Sequence, residues 1–140
     1  NPNLRQKFSE RIKALGISPN SFGLVMATAA YSPEGAQWLD ELLHYIDGNR
    51  VIFDREVNKI PGLSSMPLEG TYLAWIDFSG TGMEQEEFIY MFQEIAKIAV
   101  NHGSTFGTGG EKFLRFNLAT PRTLVVEETK RLKHAISDLQ

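Results

Sequence analysis

The stretch Thr71-Tyr72-Leu73-Ala74-Trp75-Ile76-Asp77-Phe78 decides the fold, because there the hydrophobic period changes from that of a helix to two. Its aromatic and β-branched residues, bounded by Gly70 and by Gly80-Thr81-Gly82, predict a strand. Upstream, residues 63–66 predict a shorter neighbouring strand, set off by Pro67 and Gly70. Downstream, Glu84, Glu86 and Glu87 suit a helix N-terminus, and Phe88, Met91, Phe92, Ile95 and Ala99 form one helical face that closes at His102-Gly103. A further extended piece, residues 104–108, leads through Gly109-Gly110 to a strand at 113–119. Thr120-Pro121 then reads as a cap followed by proline, and Val125, Leu132, Ile136 and Leu139 give the last helix its buried stripe. The order β-β-α-β-β-α implies a two-layer α+β domain whose small, mostly antiparallel sheet is covered by helices.

Ahead of this domain the pattern is helical. Asn1-Pro2 starts a helix with Leu4, Phe8, Ile12 and Leu15 on one side and Gly16 as its stop. The small and apolar residues of 22–31 predict a closely packed helix, buried on most sides. Ser32-Pro33 opens a third helix, whose apolar positions Trp38, Leu42, Tyr45, Ile46, Ile52, Phe53, Val57 and Ile60 keep register until Pro61-Gly62. Unless Gly48 breaks it, this helix runs for about 40 Å at 1.5 Å per residue, longer than the body it would cover, and so reaches something else. The chain therefore divides into a helical segment, residues 1–61, and an α+β domain, residues 62–140.

With 17 acidic against 14 basic residues, a net charge of −3 and no cysteine, the chain offers no field for nucleic acid or an acidic membrane, and no disulfide or thiolate metal site. Both macromolecular partners are excluded on this reading. No apolar run is long enough to span a membrane and no secretory leader is visible, which reads as cytoplasmic. The chain begins at Asn1 without an initiator methionine, which suggests a processed chain or an excised piece.

Metal chemistry finds no support, since His44, His102 and His134 are far apart and form no ligand spacing; His102 suits a helix C-terminus. The glycine cluster 103–110 lacks the order of a phosphate-binding loop and reads as a flexible connection able to border a pocket. Arg115 is more informative. In Phe113-Leu114-Arg115-Phe116-Asn117-Leu118-Ala119, alternation puts Leu114, Phe116 and Leu118 on one face and Arg115 with Asn117 on the other. A guanidinium held mid-strand needs an internal carboxylate, a route to solvent, or an anionic ligand. Tyr72 and Trp75 fall on opposite faces of their strand, and Asn20 with Ser21 reads as a turn and cap. Pattern alone therefore stops at an α+β domain with a candidate anion site.

Four ordered strings carry a resemblance: Ser18-Pro19-Asn20-Ser21-Phe22-Gly23, Trp38-Leu39-Asp40-Glu41-Leu42-Leu43, Glu69-Gly70-Thr71-Tyr72-Leu73-Ala74-Trp75-Ile76-Asp77, and the Phe113–Ala119 string continued by Thr120-Pro121-Arg122. Together they resemble the C-terminal part of pyridoxal-phosphate enzymes of fold type I, the class I/II aminotransferase superfamily, and within it the MalY/PatB-type cystathionine β-lyase branch. The resemblance implies the small C-terminal domain of that fold, a homodimeric parent enzyme and a missing large domain before Asn1. It implies that Arg115 binds the substrate α-carboxylate, that Tyr72 lies on the substrate side, that Asn20 and Ser21 serve the subunit boundary or cofactor, and that Phe106 and Gly107 border the entrance.

It also implies a C–S β-elimination giving pyruvate, ammonia and a thiol, with amino transfer to a keto acid as the alternative within the superfamily. A non-catalytic module binding small carboxylates or a partner is the alternative of a different class. The family's Schiff-base lysine follows a serine by three residues, and none of Lys7, Lys13, Lys59, Lys97, Lys112, Lys130 and Lys133 does so. This chain is therefore expected to contain no catalytic lysine, to bind the cofactor weakly and to be inactive alone.

Overall fold

A computed structural model describes residues 1–137 of the chain. It falls into two compact units, Asn1–Leu42 and a second beginning at Leu43.

The first unit holds α1 (Pro2–Ala14), α2 (Ser21–Ala30) and the start of α3 (Pro33–Val57). The Asn1 side chain accepts from the backbone N–H of Asn3 and Leu4, and Pro2 occupies the first helical position, as its missing N–H allows. Residues 22–31 do form a helix, but the expected burial is wrong. Phe22 is 81% exposed, and no residue of α2 is buried. A helix apolar on all sides needs neighbours on all sides, which a unit ending at Leu42 does not supply.

The second unit carries the sheet. Strands β1 (Ser64–Ser65), β2 (Leu73–Asp77), β3 (Asn101–His102) and β4 (Phe113–Asn117) lie in the order β1-β2-β4-β3, every neighbouring pair antiparallel. One face is covered by the C-terminal half of α3, by α4 (Gln85–Tyr90) and by α5 (Arg122–Ser137). Ala74, Ile76 and Phe78 meet Leu114, Phe116 and Leu118 on that face, all buried. The rings of Phe78 and Phe88 stack at 3.8 Å, and Phe92 and Phe53 both lie against Phe116, at 5.5 and 5.2 Å. Each such buried side chain contributes about 1.5–3 kcal/mol, and together they fix which face of the sheet turns inward. Phe53, Val57 and Ile60 belong to this core, so the compact unit starts inside α3, upstream of Pro61.

Three local expectations need correction. The helix begun by α4 does not run to His102-Gly103. It widens into a π-turn at Met91–Ile95, closed by Ala96 N–H donating to the Met91 carbonyl at 2.8 Å, and Lys97 then takes φ +54°. The wider turn carries Ile95 out and Ala96 in, and leaves Ala99 exposed. His102 accordingly stands in strand β3, not at a helix C-terminus, with its Nε2 3.0 Å from Gln93 Nε2. Residues 104–108 are not extended: Gly103–Phe106 is a 3-10 turn, and strand β3, Asn101–His102, ends immediately before it. Val125, Leu132 and Ile136 line the buried side of α5, whereas Leu139 lies outside the described residues.

Helix α3 passes through Gly48 unbroken. A Cβ there would stand 2.5 Å from Arg122 Nη2, whose guanidinium donates to the Tyr45 carbonyl at 3.0 Å and to Asn49 Oδ1 at 3.1 Å. Asn49 is fully buried, and its amide donates to the carbonyls of Leu118 and Thr120 at 3.0 and 2.9 Å. This side chain ties α3 to the exit of β4 and the start of α5. Asn49→Ala leaves two carbonyls and a guanidinium edge without their partner and is expected to lower the free energy of unfolding by about 2 kcal/mol. Urea denaturation checks this; an unchanged midpoint contradicts it.

Candidate functional site

Strand alternation turns Arg115 to the face of the sheet opposite the core cluster. Because β4 is flanked on both sides, Arg115 has two register partners, Trp75 on β2 and Asn101 on β3. The three side chains form a row across that face. Asn101 Oδ1 accepts from Arg115 Nη2 at 2.9 Å. The 3-10 turn after β3 then returns Phe106 over the row, its ring 4.3 Å from the guanidinium carbon and 5.3 Å from the Trp75 ring, edge to face. A cation over an aromatic ring gains about 0.5–2 kcal/mol, more as water is excluded.

The guanidinium is held but not satisfied. Its Nε is buried and has no hydrogen-bond partner, and among the described residues no carboxylate pairs with Arg115. The Asp77 carboxylate, on the same face, accepts instead from Ser79 N–H at 2.8 Å, and that of Glu111, just before β4, from Gly109 N–H at 2.9 Å. Of the three ways to keep an arginine mid-strand, an internal ion pair is thus not the one used. The arrangement is suited to a planar anion, which a guanidinium can take through two parallel N–H donors.

Beside Arg115 lies an apolar cleft of about 390 Å³, walled by Met66, Trp75, Phe106, Phe113 and the loop from Gly107 to Gly110. That loop is anchored by a close backbone approach of Gly103 and Gly110. A Cβ at Gly103 would overlap the Gly110 carbonyl and stand 2.6 Å from that of Phe113. A larger apolar cavity of about 750 Å³, lined by residues such as Pro61, Tyr90 and Ile95, has none of the Arg115 row in its wall. At the far end of β4, Asn117 and Glu128 line a smaller polar cleft, and burial pushes the Glu128 carboxyl above its usual range despite the attraction of Arg131.

The structure thus brings together Arg115, Phe106 and Gly107 of the residues singled out from sequence. Tyr72 is different. It precedes β2, follows the left-handed Thr71 (φ +64°), is 45% exposed, and accepts from Leu118 N–H through its backbone carbonyl. Its side chain does not line the cleft of Trp75 and Phe106, whose wall does not include Arg115 itself either. Asn20 and Ser21 belong to the first unit: Asn20 Oδ1 accepts from Gly23 N–H at 2.6 Å as the cap of α2, and Ser21 is the helix's first residue. Asn101 was not singled out, and Trp75 was read only as facing opposite Tyr72. Trp75 was legible from its parity, since antiparallel pairing puts odd positions of 73–77 beside Arg115; Asn101 was hidden by its assignment to a helix. Among the described residues no cluster of potential metal ligands occurs, and no helix is long and apolar enough to cross a membrane.

No family model matches the chain. It is 32% identical over 135 residues, 95% of its length, to cystathionine β-lyase PatB of Bacillus subtilis, and 28% identical over 108 residues to an aspartate aminotransferase of Pyrococcus horikoshii. Its fold matches cystalysin of Treponema denticola, a structure containing pyridoxal 5'-phosphate, with a TM-score of 0.90, 32% identity and coverage of the whole chain. The chain spans about a third of these proteins, 35% of PatB and 36% of the cystalysin chain.

Gly103→Ala is expected to push the Gly107–Gly110 loop away from Phe113, moving Phe106 off Trp75 and costing about 1–3 kcal/mol. Thermal melting and tryptophan fluorescence report both effects; a variant matching the parent in both contradicts this anchoring.

Proposed function

We propose, given that the chain's sequence relatives and structural neighbours are pyridoxal-phosphate-dependent enzymes of the fold type I aminotransferase kind, that it is the C-terminal part of a C–S β-lyase acting on cystathionine or cysteine-type amino acids. The observation that carries the reading is Arg115: fixed by Asn101 and Phe106, buried at Nε, and paired with no carboxylate among the described residues. In this reading it takes the substrate α-carboxylate. The cleft of Met66, Trp75, Phe106 and Phe113 beside it is apolar, which suits a thioether side chain better than an acidic one.

The cofactor, when bound by the whole enzyme, supplies an electron sink for charge at the substrate Cα. The residues around Arg115 do not themselves fit that group, since no lysine amine lines the cleft and Lys112 Nζ donates to the Met83 carbonyl at 2.9 Å and lies 3.4 Å from the Glu84 carboxylate. This chain's share of catalysis is therefore orientation. A carboxylate fixed at two donors leaves the amino acid little freedom about Cα, and binding energy spent on the carboxylate restricts the angle at which its bonds meet the catalytic groups. Phe106 excludes water from one side of the guanidinium, which strengthens its pull on the anion.

The remaining two thirds of the relatives' length would hold the lysine and the other cofactor contacts, in a large domain. The apolar side chains exposed on α1 and α2, Leu4, Phe8, Phe22, Val25 and Met26 among them, support a covering surface in the parent homodimer; the resemblance alone suggests Asn20 and Ser21 at the subunit boundary and Tyr72 on the substrate side. The likeness to an aspartate aminotransferase favours amino transfer as the second reading. Pyruvate with thiol release, against keto-acid-dependent transfer, separates the two.

In the intact enzyme Arg115→Ala and Arg115→Lys are expected to raise KM for cystathionine by roughly ten- to a hundredfold, the worth of a charged, two-pronged hydrogen bond, with a smaller change in kcat. Unchanged steady-state constants refute the assignment. The 140-residue chain alone, incubated with pyridoxal phosphate and gel-filtered, should keep no cofactor absorbance; a stable band overturns that part of the reading.

A further inference from the structure

We infer that Asn101 is a positioning residue for Arg115, one that orients the guanidinium without cancelling its charge. The inference rests on the reading of Arg115 as the carboxylate binder and adds a determinant of how tightly that carboxylate is held. Asn101 sits on the edge strand β3, directly across the ladder from Arg115, and its neighbour His102 is paired with Leu114 and contacts Gln93. Its position is thus set by backbone pairing rather than by a mobile loop.

From there Oδ1 accepts from Nη2 at 2.9 Å, while the Phe106 ring covers the guanidinium at 4.3 Å. One contact fixes rotation of the fork in its plane, and the other fixes the plane. A free arginine side chain pays for that order when a ligand arrives; here the cost is met before binding.

The residue type is what makes this more than packing. Aspartate has the shape of asparagine and would accept the same proton at the same place. As a carboxylate it would add an opposite charge to a hydrogen bond whose donor is already ionised, forming an ion pair, and leave little net charge to attract a second carboxylate. Among the described residues no carboxylate forms an ion pair with Arg115; those of Asp77 and Glu111 accept from the Ser79 and Gly109 N–H groups. A neutral acceptor at position 101 leaves the Arg115 charge unpaired.

The test uses the intact holoenzyme and two competing ligands, cysteine and its decarboxylated analogue cysteamine, measured as inhibition constants beside KM and kcat for cystathionine. Asn101→Asp should melt as the parent does, weaken cysteine and raise KM for cystathionine by about tenfold or more, and leave kcat and cysteamine nearly unchanged. Asn101→Ala, which removes the acceptor and adds no charge, should weaken cysteine by a smaller factor and again spare cysteamine. Arg115→Ala is the reference. If it weakens cysteine while both Asn101 variants bind cysteine as the parent does, the inference falls and the reading of Arg115 stands. If Arg115→Ala also leaves cysteine binding intact, both fall. Equal losses for cysteine and cysteamine in the Asn101 variants make the residue merely structural and overturn the inference.

Discussion

The sheet of the second unit has one covered face, and nearly everything else in that unit follows from the asymmetry. Leu114, Phe116 and Leu118 are drawn into the layer formed by α3, α4 and α5, so Arg115 between them must face the other way. A one-residue slip of β4 would bury the guanidinium among phenylalanines and expose three large apolar side chains, a change no local contact could offset. The stack of Phe78 on Phe88 and the packing of Phe53 and Phe92 on Phe116 therefore set the orientation of a residue none of them touches on the open face. Asn49 reinforces the same register from the helical side, by holding the carbonyls of Leu118 and Thr120 just where β4 leaves the sheet.

Elements with a strong period were legible in the sequence. Strands β2 and β4, the helix through Gly48 and the final helix all follow from spacing, because each must present a continuous apolar face to one core. What failed did so for identifiable reasons. Helix α2 has the composition of a buried helix but no periodic side, and composition does not say whether its neighbours are in the same chain. The π-turn at Met91–Ile95 inserts a residue into a helical face, so that Ile95 and Ala96 exchange sides, and simple periodicity has no sign for it. That single displacement carried the error on to His102 and hid Asn101, whose strand position matters only through its pairing with Arg115.

The candidate site was legible to a similar depth. An arginine in mid-strand opposite apolar neighbours is a signal by itself, and its meaning depends on whether a carboxylate lies within reach. The sequence leaves that open because pairing partners come from distant positions; in the folded chain the carboxylates of Asp77 and Glu111 accept from backbone N–H groups. The resemblance to pyridoxal-phosphate enzymes then supplies a ligand of the right shape. The same resemblance fits the exposed apolar side chains of the first unit, since the chain spans about a third of its relatives and their remaining length can cover what is open here.

The central claim is that Arg115 is prepared for a carboxylate that another molecule brings. A crystal structure of the parent enzyme with a bound amino-acid inhibitor tests it most directly. The account predicts both carboxylate oxygens within hydrogen-bond distance of the Arg115 guanidinium, with Asn101 and Phe106 keeping their present contacts. A carboxylate bound elsewhere, with Arg115 still held only by Asn101 and Phe106, would contradict it.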